Sequence, residues 1–319
     1  MEKALISRLS SLGDVACTLP VANLLKQAFP NVHITWAVDP RFAGVVNCCE
    51  SVDEVVLVKP AFDPKTWPNW NEPFDVALDM QGLLKSAIVI ARAKSCYKLG
   101  FQWQREGSAL FSQKVIPDPS SIHIVDQYLD VARGAISLYQ VPIPDSSSFD
   151  LVPKEADLEK ISNLLKDEGI EDDFVVLNPG AAWASKRWPV EHFVRLIQSL
   201  SEHSISSVLI GSSPAEIESN GSLIEACGVS ADVRVVNLAG KTSISGLIAL
   251  LSLAKAHVGG DTGSTHLMAA LGKPAIGLYS ITKPQRSCPY LQFNRTLFDP
   301  YGIQLIQPTQ VMGKILESL

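Results

Sequence analysis

Short apolar runs closed by Gly, Pro, Asn or Asp alternate along the chain with longer stretches whose apolar positions recur at helical spacing. Runs of the first kind predict strands buried on both faces and those of the second predict amphipathic helices, so their alternation predicts an α/β protein with parallel sheets. In the first half KALIS (3–7), VHITWAV (32–38), VDEVVLV (52–58) and DVALDM (75–80) read as strands. ACTLPVANLLKQAF (16–29) reads as a helix interrupted near its start by Pro20, and LLKSAIVIARAK (83–94) as another helix. The unit then repeats: FVVLNPG, SSVLIG, VRVVNLAG, AHVGGD and AIGLYS are strands separated by helices such as VEHFVRLIQSLSEH. Two similar α/β halves follow from this pattern. Their boundary falls within residues 145–172, where PIPDSSSFDLVPKE is rich in Pro, Ser and Asp, with a hinge around Pro153. A ligand shared by two such halves is expected in a cleft between them, at the C-terminal ends of the parallel strands.

Composition narrows the class. A chain of 319 residues is long for one core, and 46% hydrophobic with 19% charged residues is too apolar for disorder. The net charge of -6 argues against a nucleic-acid partner, because phosphate neutralisation needs a basic excess. The six cysteines form no CxxC pair and the histidines show no metal-ligand spacing, so free thiols in a reducing cytosol and no metal site are expected. Arg8 lies close enough to Lys3 to prevent a secretory apolar core. No stretch approaches the roughly 18 apolar residues of a membrane span, which predicts a soluble protein.

Several turns carry chemistry. SRLSSLGD lacks the GxGxxG of a dinucleotide site, and VVNLAGKTS has Val235 where a P-loop needs its first Gly. GGDTGSTHLMAALGKP is more informative: Asp261, Thr262 and Gly263 stand where a strand gives way to a helix, whose outward N–H groups and dipole suit an anion such as a diphosphate. Capping of that helix by the same residues is the compatible alternative. His266, just inside the helix, has a structural and a catalytic reading. In NPGAAWASKRWP the cations Lys186 and Arg187 follow a glycine loop, and Lys186 suits a phosphate gaining charge, or is a solvated loop charge. Residues 85–114 carry Lys85, Arg92, Lys94, Lys98, Arg105 and Lys114 against Glu106 alone, a place to receive an anionic partner; Lys85 and Arg105 are the favoured contacts. Asp14 follows Gly13 in the first strand-to-helix turn. It is either a favourable charge at a helix start or a general base toward an acceptor hydroxyl.

The order and spacing of RLSSLGDVACTLP, DVALDMQGLLKSA, PGAAWASKRWP, LAGKTS and GGDTGSTHLMAALGKP resemble the bacterial lipopolysaccharide heptosyltransferases, glycosyltransferase family nine, over nearly the whole chain. DMQGLLKSA and WQREGSALF look most like the members that add the first heptose to the Kdo of the inner core. The resemblance implies a GT-B fold of two Rossmann-like parallel-sheet domains, an acceptor-binding one at 1–152 and a nucleotide-sugar-binding one at 153–300. It also implies that 301–319 is a helix packing back on the first domain. By the same resemblance Asp14 matches the catalytic base, Lys186 a contact to donor phosphates, Asp261, Thr262 and Gly263 the donor loop with His266 beside it, Thr242 an adenine neighbour, and Glu216 the acid on the ribose. Lys85 and Arg105 would recognise Kdo carboxylates, assisted by Arg8 or Arg41. Two departures stand out: Ala181 and Ala182 replace a hydroxyl residue usual in the phosphate loop, and YSITKP replaces GPTDP.

The function so implied is an inverting transfer of heptose from ADP-heptose to Kdo-lipid A, with no metal or cofactor. The implied enzyme is a monomer of the cytoplasm that touches the inner membrane transiently. Transfer of a later heptose or from another nucleotide sugar is the alternative within the class; a nucleotide-sugar epimerase or a non-catalytic nucleotide-sugar binder is the alternative outside it.

Overall fold

The computed structural model describes residues 1–59, 67–180, 186–228 and 233–319. It divides into two units, Met1–Val152 and Pro153–Leu319. The first contains β1 (Lys3–Ser7), β2 (His33–Val38), β3 (Glu54–Leu57), β4 (Phe74–Asp79), β5 (Ser95–Gly100) and β6 (Gln113–Lys114), with α1 (Leu12–Ala28), α2 (Ala43–Val46), α3 (Leu84–Arg92) and α4 (Ile124–Ser137). Its sheet runs β3-β2-β1-β4-β5-β6, every pair parallel.

The second unit contains β7 (Phe174–Asn178), β8 (Ser206–Leu209), β9 (Val235–Asn237), β10 (Ala256–Gly259), β11 (Ala275–Tyr279) and β12 (Thr296–Phe298). Its helices are α5 (Glu155–Asp167), α6 (Val190–Glu202), α7 (Pro214–Cys227), α8 (Ile244–Leu253), α9 (Gly263–Ala270), α10 (Pro284–Ser287) and α11 (Pro308–Leu316). The order β12-β11-β10-β7-β8-β9 is again all parallel and repeats the first sheet's winding. Each sheet starts in its middle, winds out to one edge, then returns and winds to the other, the Rossmann-like order of a doubly wound sheet. Two such units are the make-up of the GT-B fold expected above.

Burial on both faces explains the apolar runs. Leu5, Ala37 and Ala77 of the first sheet pack with Val89 and Ile90 of α3, while α1 packs against α4. In the second unit Val175, Leu177, Val258 and Leu278 pack with Phe193, Leu196 and Leu200 of α6. β5, β6 and β12 escaped the pattern because these edge or near-edge strands are partly exposed and weakly apolar, and β6 and β12 are also short.

Two expectations are corrected. Pro20 does not interrupt α1 near its start: the helix begins at Leu12 and runs through the proline to Ala28. Proline in a helix interior costs about 3 kcal/mol; here Val15–Ala22 are buried without a break, and that packing holds the helix together. The terminal helix α11 does not leave the second unit. Val311, Met312 and Ile315 sit in the second core, and α11 packs on α6. Burial of these three side chains against the second core accounts for the placement.

Ile315→Ala should therefore cost about 2–4 kcal/mol of stability, as for other fully buried large-to-small changes, read as a lowered urea midpoint; a neutral result would mean that α11 is not seated in this core.

Candidate functional site

In a doubly wound sheet the two central strands send their chains to opposite sides, which opens a crevice at their C-terminal ends. In the first unit those strands are β1 and β4. The loop after β1 carries Arg8, Ser10 and Ser11 into α1, and the loop after β4 carries Gln81 and Gly82 into α3. The two loops are tied together. Leu9 N–H donates to Gln81 Oε1 (3.0 Å), and Gln81 Nε2 (3.1 Å) and Lys85 Nζ (2.9 Å) both donate to Ser10 Oγ. Asp79 ends β4 with Oδ1 accepting from Gln81 N–H (3.1 Å) and Gly82 N–H (2.9 Å), and burial holds its carboxyl above the usual range. Gly82 is required by its φ of +70° and because a Cβ there would lie 2.6 Å from the Trp103 carbonyl oxygen.

Asp14 occupies the first turn of α1. Its Oδ2 accepts from Ser11 N–H (3.1 Å) and Ser11 Oγ (2.8 Å), so the capping role is present. Its Oδ1 also meets Arg8 Nη2 at 2.7 Å, and the Asp14 side chain is 43% exposed. Capping and a solvent-facing carboxylate thus coexist.

The four basic residues expected around an acceptor separate. Lys85 lies in this crevice beside Ser10. Arg105 is exposed on the loop after β5, whose backbone is bonded to Gly82 through Arg105 N–H (2.8 Å). Arg41, 71% exposed, lies on Asp39 through two hydrogen bonds (3.0 and 2.8 Å), which hold that carboxyl below the usual range. Arg8 departs from expectation: its side chain is only 6% exposed, with its guanidinium on the Met80 carbonyl, on Asp14 and 5.0 Å over the Tyr128 ring. Three groups of its own unit hold this cation inward.

In the second unit the central strands are β7 and β10. Asn178, at the end of β7, reaches across: its Nδ2 donates to Ser264 Oγ (2.9 Å) and Thr262 Oγ1 (3.3 Å), while Oδ1 accepts from Gly180 N–H (3.1 Å). Thr262 is the N-cap of α9 and Gly263 its first residue, so the unpaired N–H groups of the first turn open at this crevice. Asp261 is bracketed by Lys186 Nζ (3.3 Å) and His266 Nε2 (3.4 Å). Burial opposes its charge, but His266 and Lys186 outweigh it and hold the carboxyl below the usual range. Lys186, Asp261 and Thr282 line one small recess.

Glu216 lies in the first turn of α7. Its Oε2 accepts from Ser212 N–H (2.9 Å), Ser213 N–H (2.9 Å) and Ser213 Oγ (3.0 Å); these bonds overcome burial and hold it below the usual range. The other oxygen, Oε1, is directed at Gly180, where a Cβ would lie 2.1 Å from it. Glu216, Gly180, Pro179, Arg187 and Ser213 line a pocket of about 270 Å³. Thr242 is half-buried on the loop after β9 and lines neither this pocket nor the recess. Ala181 and Ala182 lie outside the described residues.

Sequence reasoning missed His257. Its Nε2 lies 3.0 Å from Ser264 Oγ beneath the α9 turn, and burial, with His266 nearby, pushes its pKa down to about 3. A single histidine at the start of an apolar strand carries no pattern that would single it out.

Residues 70–302 match the model of glycosyltransferase family 9 (heptosyltransferase). The chain is 28% identical to the lipopolysaccharide core heptosyltransferase OpsX of Haemophilus influenzae, over 89% of this chain and 81% of that one. It is equally 28% identical to lipopolysaccharide heptosyltransferase 1 of Escherichia coli K12, over 88% and 89%. The solved structure of the E. coli heptosyltransferase WaaC with ADP superimposes with a TM-score of 0.80 at 25% identity, covering 99% of this chain and 100% of that one.

The neutral, buried His257 has a consequence for stability. Below its ordinary value of about 6.5 the unfolded chain takes up a proton that the folded chain refuses, so stability falls as pH drops from 6.5 toward 3. Between pH 7 and 5 this amounts to about 2 kcal/mol. Urea unfolding of His257→Gln should show a correspondingly weaker loss over that interval than the wild type; equal losses would mean that His257 is not the group refusing the proton.

Proposed function

The chain belongs to glycosyltransferase family 9, and from that premise we propose that it transfers a heptosyl group from ADP-heptose to a Kdo hydroxyl of the lipopolysaccharide inner core, with inversion at the anomeric carbon. The observation that carries this reading is the second crevice, where Lys186, the open first turn of α9 and the Glu216 pocket adjoin the ends of neighbouring strands. Such a set suits a nucleoside diphosphate: N–H groups and a lysine for the phosphates, a carboxylate for the ribose hydroxyls. With Oε2 occupied by the two serines, Oε1 of Glu216 is the oxygen offered to the ribose.

In this reading the first unit supplies Asp14 as base, with Lys85 and Arg105 for the carboxylates of Kdo. Asp14 takes the proton of the acceptor hydroxyl as that oxygen bonds to the anomeric carbon. The bond from that carbon to the diphosphate oxygen breaks, and ADP leaves with the electron pair. Lys186 and the N–H groups at Gly263 and Ser264 neutralise the charge gathering on the diphosphate, which replaces both leaving-group protonation and a metal. Asp261 holds Lys186 in place until the phosphates compete for it. The acceptor is anchored in lipid, so the protein works at the inner-membrane surface as a peripheral visitor. Among the described residues no helix is long and apolar enough to cross a membrane.

Acceptor-dependent ADP release should fall by about 10²–10⁴-fold in Asp14→Asn, the usual range for loss of a general base, while calorimetric ADP affinity stays unchanged; wild-type turnover in the variant would reject Asp14 as base. Gly180→Ala pushes a methyl group into Glu216 and should weaken ADP binding by about tenfold through displacement of that carboxylate. Unaltered affinity would move the ribose elsewhere.

A further inference from the structure

Arg8 is an unusual residue to bury. Its guanidinium donates to the Met80 carbonyl from one nitrogen, pairs with Asp14 from another, and lies over the Tyr128 ring. The third nitrogen, Nε, is buried without a partner. A packed apolar side chain generally fills a core at lower cost than a partly satisfied cation. The cation instead spans three elements, with its backbone carbonyl accepting from Trp36 Nε1 (3.3 Å) to fix the loop from behind. What it presents toward solvent is one contact, on a carboxylate that is itself 43% exposed.

We propose that Arg8 is the positioning residue of the Asp14 base: from its seat on Tyr128 it grips Oδ1 while Ser11 grips Oδ2, fixing the plane of the carboxylate and keeping it ionised. The proposal rests on the assignment of Asp14 as base. Arginine suits the task because it stays charged when buried, so its field on Asp14 does not titrate away. Among the described residues, the titratable groups facing the pair include Tyr128 of α4, Cys17 of α1 and Asp79 at the end of β4. Burial raises the Tyr128 phenol far above neutrality and raises the Asp79 carboxyl. Arg8 is thus a fixed positive charge at Asp14, where the sequence alone sets it among the acceptor contacts.

The test is the rate–pH profile of acceptor-dependent ADP release for the wild type, Arg8→Gln, Arg8→Lys and Asp14→Asn. An opposite charge at this distance lowers a carboxyl by about one to three pH units. Arg8→Gln should therefore move the acidic limb up by about one unit or more, with the donor KM unchanged, and Arg8→Lys, which keeps the charge, should return most of that shift. A limb in Arg8→Gln that coincides with the wild type's, with only a uniformly lower kcat, overturns the proposal. So does an Arg8→Lys limb no different from that of Arg8→Gln. If Arg8→Gln does not fold, Tyr128→Leu loosens the seat and spares the charge: a lower kcat at constant donor KM is expected, and an unaltered kcat overturns the proposal. Asp14→Asn separates the two levels. Full activity there removes the base assignment beneath this inference, whereas an inactive Asp14→Asn with an unmoved Arg8→Gln limb removes Arg8 alone.

Discussion

Both candidate crevices of this chain depend on the constraint that parallel strands cannot be joined by tight turns. Each strand must be followed by a crossover, usually a helix packed on the sheet. When the winding starts from the middle and reverses, the two central strands release their chains to opposite sides, and the gap has no local connection to fill it. This happens once at β1 and β4 and once at β7 and β10. Just past those strands stand Asp14 and Lys85, in the first turns of α1 and α3, in one unit, and Lys186 and Asp261 in the other.

The two crevices treat charge in opposite ways. In the first, the carboxylate of Asp14 faces outward and its cation is buried behind it. In the second, Lys186 and Asp261 are similarly accessible, at 26% and 21%, and His266 backs the carboxylate. A carboxylate with a fixed cation behind it stays ionised and accepts a proton only under demand, which suits a base. A lysine paired with a neighbouring carboxylate can exchange that partner for phosphate, which suits a leaving group whose charge rises during the reaction. The polar network around Asn178, Thr262, Ser264 and His257 ties β7, β10 and α9 together, giving the turn into α9 a rigid base.

Alternating apolar runs and helical stripes were enough for the α/β class and for most strands, because a buried parallel strand must be apolar on both faces. They failed where that requirement lapses: β5, β6 and β12 are partly exposed, and nothing in SCYKLG or TLF marks them. Asp14, Lys186, Asp261 and Glu216 stand out as candidates because each lies beyond an apolar run, in a loop or first helical turn, where a polar residue has a limited set of uses. Asn178, His257 and Tyr128 do not. The partners of Asn178 and Tyr128 lie far along the chain, that of His257 seven residues on across a strand-to-helix turn, and no spacing rule connects them.

By itself, then, the sequence determined the local terms of the problem: which segments are helices and most of the strands, where the α/β pattern repeats, and which turns carry charge. These follow from periodicity and turn chemistry, which act over a few residues. Tertiary packing decided how those charges are used. It ran α1 through Pro20 and kept the terminal helix on α6, because buried area outweighs a local helix defect and an apolar stripe lies where it is best covered. It also turned Arg8 inward beneath Asp14. The direction of a long side chain is set by what surrounds it, and its surroundings here, Met80, Tyr128 and Asp14, come from three separate stretches of chain.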